Sequence, residues 1–102
     1  MNLRALRVFI EVAKENSLTK AGKKLLISQP AITMQIKKLE QELGLKLIRT
    51  NGRGIKLSEA GQFLFNNAEY LFKLEESIEN KVIDFKNKKK ESLQINDSTP
   101  SA

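Results

Sequence analysis

Apolar residues recur at helical spacing in four stretches of the chain, and a short stretch between the third and fourth alternates instead. In the first, Leu3, Leu6, Phe9, Ile10 and Ala13 share one side, and Asn2 is placed to cap the start. The pattern predicts a helix ending near Asn16. Ser17 then opens a short second helix with Ala21 and Leu25 facing inward. Gly22 lies inside it, at a cost of about 1 kcal/mol relative to Ala, which predicts a close helix–helix approach at that point. Ser28 is the N-cap of a third helix. Pro30 fits its first turn, where N–H groups have no intrahelical acceptor. This helix runs to Leu43, and Gly44 ends it as a left-handed cap. On a helical wheel Ile32, Ile36, Leu39 and Leu43 fall within about 60° of one another and form a core stripe. Pro30, Met34, Lys37, Lys38 and Gln41 lie opposite, with Gln29 and Thr33 on the flank.

The alternating stretch is LKLIRTNGRGIKLS. Leu45 and Leu47 alternate before Asn51-Gly52, and Ile55 and Leu57 after it, which predicts a two-stranded hairpin turning at Asn-Gly. Ser58 caps a long fourth helix, with Glu59 favourable in the first turn. Helical pattern continues to about Lys88, a rod of roughly 45 Å. Along it Leu64, Ala68, Leu71, Glu75, Ile78, Val82 and Phe85 alternate in steps of four and three. That is a heptad seam with one polar position, and a helix this long is marginal alone in water, so the seam predicts a partner helix from a second copy. Phe65 and Phe72 form a second stripe beside it, suited to packing on the N-terminal part. The tail ESLQINDSTPSA loses helical character, and SLQIN reads as one short strand. Three helices and a basic hairpin make a winged helix-turn-helix. The expected fold is mainly α: residues 1–58 form that domain, with the helix-turn-helix at about 18–37, residues 59–90 form a linker and dimerisation helix, and 91–102 form a tail.

Composition narrows the function. The 102 residues contain no Cys and no His, which removes disulfides, thiolate nucleophiles, Cys/His zinc sites and the commonest general base. No pair of carboxylates sits in an apolar context, so no enzyme, metal site or cofactor is expected. No apolar run approaches the ~20 residues that span a bilayer, and Arg4, Arg7 and Glu11 interrupt the N-terminal apolar positions, so neither a membrane anchor nor a signal peptide is read and a cytoplasmic protein is expected. The net charge of +6 is uneven. Residues 1–57 hold 12 Lys and Arg against 4 acids, a net of +8; residues 58–102 hold 6 Lys against 8 acids, a net of −2. A basic first half calls for a polyanion partner, set against the plainer possibility of a solvated basic surface.

The outward face of the third helix starts with slim or uncharged residues and gains lysines one or two turns later. This order suits a recognition helix entering the DNA major groove by its N-terminal end. Gln29 can hydrogen-bond an adenine edge at two points, Thr33 can contact bases or phosphate, and the slim Pro30 and Ala31 after Ser28 allow close approach; Met34 lies near the middle of the outward face, with Lys37 and Lys38 behind it. Thr19, Lys20, Lys23 and Lys24 of the second helix are placed to cross the DNA backbone and position the protein without reading sequence. In the hairpin, Arg49, Arg53 and Lys56 flank a turn able to reach the minor groove or its phosphates. The run Lys86–Lys90 reads as a solvated helix end.

These residues carry a resemblance. The sequence resembles the N-terminal part of LysR-type transcriptional regulators, from Met1-Asn2-Leu3 through SLTKAGKKLLISQPAITMQIKKLEQELGLKL to GRGIKLSEAG. Ser28-Gln29-Pro30-Ala31, Ile36-Lys37-Lys38-Leu39-Glu40, Leu43-Gly44 and Leu57-Ser58-Glu59-Ala60-Gly61 match the family pattern in order and spacing. The resemblance implies a homodimer joined through the linker helix, often a tetramer in full-length proteins, binding double-stranded DNA at an interrupted dyad near promoters. It places Ser28, Gln29, Pro30, Thr33 and Lys37 at DNA-contacting positions. It also implies an effector-binding domain whose first strand ESLQINDSTPSA resembles, so no small-molecule effector site is expected in this chain. Three residues depart from the pattern: Met34 and Thr50 stand where Arg is common, and Gly22 where Ala is usual. Two other roles stay open at this point, a truncated partner that pairs with full-length regulators and a nonspecific nucleic-acid-binding protein.

Overall fold

The computed structural model describes residues 1–52 and 54–98, with side chains through residue 92. The elements run α1 (Leu3–Glu15), α2 (Leu18–Leu25), α3 (Gln29–Leu43), β1 (Ile48–Thr50), β2 (Ile55–Leu57) and α4 (Glu59–Ser98). Contacts divide the chain into two units, Met1–Tyr70 and the stretch from Leu71 onward.

The helix boundaries follow from local chemistry. Asn2 Oδ1 accepts the backbone N–H groups of Arg4 at 2.8 Å and Ala5 at 3.4 Å, satisfying donors that a helix start leaves open. Ser17 does the same for Lys20, and Ser28 for Ala31. Helix α1 ends at Asn16 in the left-handed conformation, a residue type whose short polar side chain tolerates it. Helix α3 ends at Gly44, with φ of 68°.

The first unit packs α1, α2 and α3 against one another, with the hairpin closing the side. Val8, Val12, Ala21, Ile32, Ile36 and Ile55 form one buried cluster, and Leu18, Leu25, Ile27, Ile48 and Leu57 pack on it. Leu6, Phe9, Ile10 and Leu39 are buried as expected, while Leu43 is half-buried and Leu3 is exposed. No polar or charged residue is buried among the described residues.

Four details differ from the sequence reading. Leu45 is exposed and Leu47 fully buried, so they do not alternate on one strand face; β1 begins only at Ile48. The hairpin pairs Ile48 with Leu57, Arg49 with Lys56 and Thr50 with Ile55. The connection is therefore residues 51–54, closed by Asn51 N–H donating to the Gly54 carbonyl at 3.3 Å, and not a two-residue Asn-Gly turn. Gly52 and Gly54 both have positive φ, so glycines at two points set a longer loop. Gly22 meets the helix-turn-helix turn more closely than it meets α3: a Cβ there would lie 2.8 Å from the Ile27 carbonyl oxygen. Finally, α4 continues through SLQIN to Ser98, where one strand was expected. The preceding residues are mostly good helix formers, and extending an existing helix costs far less than nucleating another element. Residues 99–102, the end of the expected tail, lie outside the described residues.

Candidate nucleic-acid interface

The turn between α2 and α3 fixes the geometry of the site. Leu26 takes the left-handed conformation (φ 61°) and is 90% exposed. Its N–H donates to the Lys23 carbonyl at 3.4 Å, and the Ile27 N–H to the Gly22 carbonyl at 3.0 Å. These bonds close α2 and turn the chain directly into the Ser28 cap. Buried Ile32 and Ile36 then lock the inner face of α3 into the core, which leaves the opposite face outward. A shallow surface groove along that face is lined by Gln29, Pro30, Thr33, Met34, Lys37, Lys38 and Gln41. Ser28, Gln29 and Pro30 are exposed; Ala31 and Thr33 are half-exposed. Met34 is 57% exposed.

Helix α2 brings Thr19 to the tip of α3, where its hydroxyl donates to Gln29 Oε1 at 3.1 Å. Lys20 and Lys23 are exposed beside it. Lys24 is engaged elsewhere: its Nζ lies 2.7 Å from Glu11 Oε1 and 3.8 Å from Glu15 Oε1 on α1. The hydrogen bond to Glu11, then the charge of Glu11, raises the Lys24 pKa above its ordinary value. The structure thus sets Lys24 apart from the other α2 cations.

On the wing, Arg49 and Lys56 are directly opposed across the strands and both are exposed. Like charges at such a pair repel in the free protein and are relieved by an anion. Arg53 lies outside the described residues. Between α3 and the wing runs a cleft of about 370 Å³ lined by Thr33, Ile36, Lys37, Glu40, Lys46, Ile48, Arg49 and Thr50, together with Leu18. Lys37, Lys46 and Arg49 place three cations on it, and sequence pattern alone had not singled out Lys46.

Glu40 also had no assigned role. Its Oε2 accepts the Leu47 N–H at 2.7 Å and the Ile48 N–H at 3.4 Å, tying the last turns of α3 to the start of the wing. Ser58 supports the wing from the other side. Its N–H donates to the Leu47 carbonyl at 2.9 Å, its hydroxyl donates to the Lys46 carbonyl, and its Oγ accepts the Gly61 N–H at 2.9 Å. Ser58 was legible as the cap of α4, the role its bond from Gly61 fills; its bonds to the wing, and those of Glu40, gave no signal in the periodicity because they act through backbone atoms of another element.

A family model described as "Bacterial regulatory helix-turn-helix protein, lysR family" matches residues 3–62. The chain belongs to the LysR family. Among curated members, the HTH-type transcriptional regulator BudR of Klebsiella aerogenes is 48% identical over 68 residues, 67% of this chain and 48% of that protein. BenM of Acinetobacter baylyi is 40% identical over 82 residues, 80% of this chain and 26% of that regulator. The chain thus spans less than half the length of these LysR-family relatives. Two solved structures resemble it over most of both chains. The CbnR DNA-binding domain in complex with DNA has a TM-score of 0.72 at 34% identity, covering 82% of this chain and 97% of that one. The BenM DNA-binding domain on its catB site 1 DNA has a TM-score of 0.68 at 39% identity, covering 85% and 94%. The mainly α winged helix-turn-helix with a long C-terminal helix is the fold that these LysR-family domains share with this chain.

The seam residues of α4 fall into two groups. Ala68 is buried within its own chain and Leu64 is half-buried. Leu71, Glu75, Ile78, Val82 and Phe85 are all exposed, as are Phe63, Tyr70 and Leu74. Phe65 and Phe72 are half-buried. No helix among the described residues is long and apolar enough to cross a membrane.

Proposed function

We propose that this chain is the DNA-binding module of a cytoplasmic LysR-type transcription regulator, reading double-stranded promoter DNA as a homodimer; its role is recognition, not catalysis. The observation that carries this is the outward face of α3. Its tip offers Gln29, Pro30 and Thr33 with no charge to compete for phosphate, and Lys37 and Lys38 follow along the same groove. Such a face suits base edges at the tip and backbone further along. Met34 has no charge with which to hold phosphate, so its role is apolar contact with a thymine methyl. Lys20, Arg49, Arg53 and Lys56 neutralise phosphates on either side, and affinity falls steeply with salt as counterions are released.

Leu71, Ile78, Val82 and Phe85 supply the dimer seam, with Glu75 its polar position. A dimer of this kind sets two α3 helices about one turn of DNA apart, or a multiple of it, which fits an interrupted dyad.

The test is Gln29→Ala. Preference at one base pair per half-site relaxes by about 1–3 kcal/mol, read from binding to fragments differing at single positions. Equal weakening on every fragment would show that α3 is not the base-reading element.

A further inference from the structure

We propose that Thr19 is a positioning residue for base recognition: its hydroxyl sets the orientation of the Gln29 amide and so enforces adenine over guanine. This rests on the reading of α3 as the base-reading helix. Thr19 lies in the first turn of α2, ten residues before Gln29, the first residue of α3. Both are exposed, and Thr19 Oγ1 lies 3.1 Å from Gln29 Oε1. A carbonyl oxygen can only accept, so the hydroxyl donates.

A free glutamine amide has a broad, roughly two-fold terminal torsion and presents its oxygen or its nitrogen almost indifferently. The Thr19 bond removes that freedom. It uses one lone pair of Oε1 and leaves the other, and it leaves Nε2 to donate outward. An adenine edge matches this arrangement: N7 accepts from Nε2, and the N6 amino group donates to Oε1. A guanine edge does not, because its O6 acceptor would face Oε1, another acceptor. The same bond lowers the ordering cost of binding, since the amide is already held. Thr19 was placed by sequence among the phosphate-contacting residues of α2; its geometry assigns it to Gln29.

The experiment compares Thr19→Val, which keeps the shape and loses the hydroxyl, with Thr19→Ser, which keeps the hydroxyl. Binding is measured on dyad fragments carrying adenine or guanine at the position Gln29 reads, after thermal midpoints show both variants folded. Thr19→Val is expected to lower adenine-over-guanine discrimination roughly two- to tenfold, the worth of one neutral hydrogen bond. Thr19→Ser retains the discrimination, and Thr19→Val adds nothing further in a Gln29→Ala background. The proposal is overturned if Thr19→Val weakens both fragments equally, or if its effect persists undiminished without Gln29. Should Gln29→Ala itself leave discrimination whole at every position, the reading of α3 fails and this inference with it; relaxation by Gln29→Ala but not by Thr19→Val removes the Thr19 role alone.

Discussion

Single residues decide how the wing is held against α3. Glu40 accepts two backbone N–H groups at the start of the wing, and Ser58 donates to the Lys46 and Leu47 carbonyls. Gly61 completes the joint. A Cβ there would lie 2.1 Å from the Leu47 carbonyl oxygen, a backbone atom that the Ser58 bonds already fix. Gly61→Ala should therefore lower stability by about 1–3 kcal/mol through overpacking, although Ala is the better helix former by about 1 kcal/mol. Urea or thermal unfolding measures this, and an unchanged or raised midpoint would refute the tight contact. At this scale the sequence was uneven. Asn2, Ser17 and Ser28 were legible as caps because a cap acts within its own helix. Glu40, Gly61 and the Thr19–Gln29 pair were not, because each acts on an element distant in sequence. Gly22 lies between these cases: a Cβ there would meet α3 at Gln29 N and Ile32 Cγ1, both at 3.8 Å, as a helix–helix approach requires, but the tightest contact, 2.8 Å, is with the Ile27 carbonyl of the turn.

Elements were read well where one face is buried and poorly where none is. Helices α1, α2 and α3 have apolar stripes flanked by caps, and their limits matched within a residue or so. The hairpin was found, but its register was not. A two-residue turn at Asn51-Gly52 would set Thr50 opposite Arg53, whereas Thr50 pairs with Ile55, and Ile48, Ile55 and Leu57 all serve the core. The two registers differ by two residues and keep those three on one face, so the apolar pattern could not choose between them; the observed one goes with a longer loop that carries positive φ at both Gly52 and Gly54. Helix α4 shows the same limit, since periodicity cannot tell an apolar stripe covered by its own chain from one awaiting a partner. Ala68 is covered; Leu71, at 40% exposure, Ile78 and Val82 are not. Leu71→Glu places a charge amid the exposed positions and should shift the protein from dimer to monomer, with light scattering reading the mass. A dimer mass retained in the variant would contradict the seam.

Over the whole molecule, charge sorts with architecture. The basic stretch 1–57 holds the three short helices and the wing, and the long helix Glu59–Ser98 lies in the near-neutral remainder. Within the basic part, structure separates cations that charge counting treats alike. Lys24 is paired with Glu11, while Lys37, Lys46 and Arg49 line one cleft and Lys56 opposes Arg49 on the wing. A basic surface alone would coat any nucleic acid; in the function proposed above, the uncharged tip of α3 is what turns the surface into a reader. The most direct measurement of that claim is competition between a dyad fragment, selected from random DNA by the purified protein, and a shuffled fragment of equal length at about physiological salt. The account predicts tighter binding to the dyad by roughly a thousandfold or more, the separation usual between specific and nonspecific sites. Equal affinity for the two fragments would contradict it.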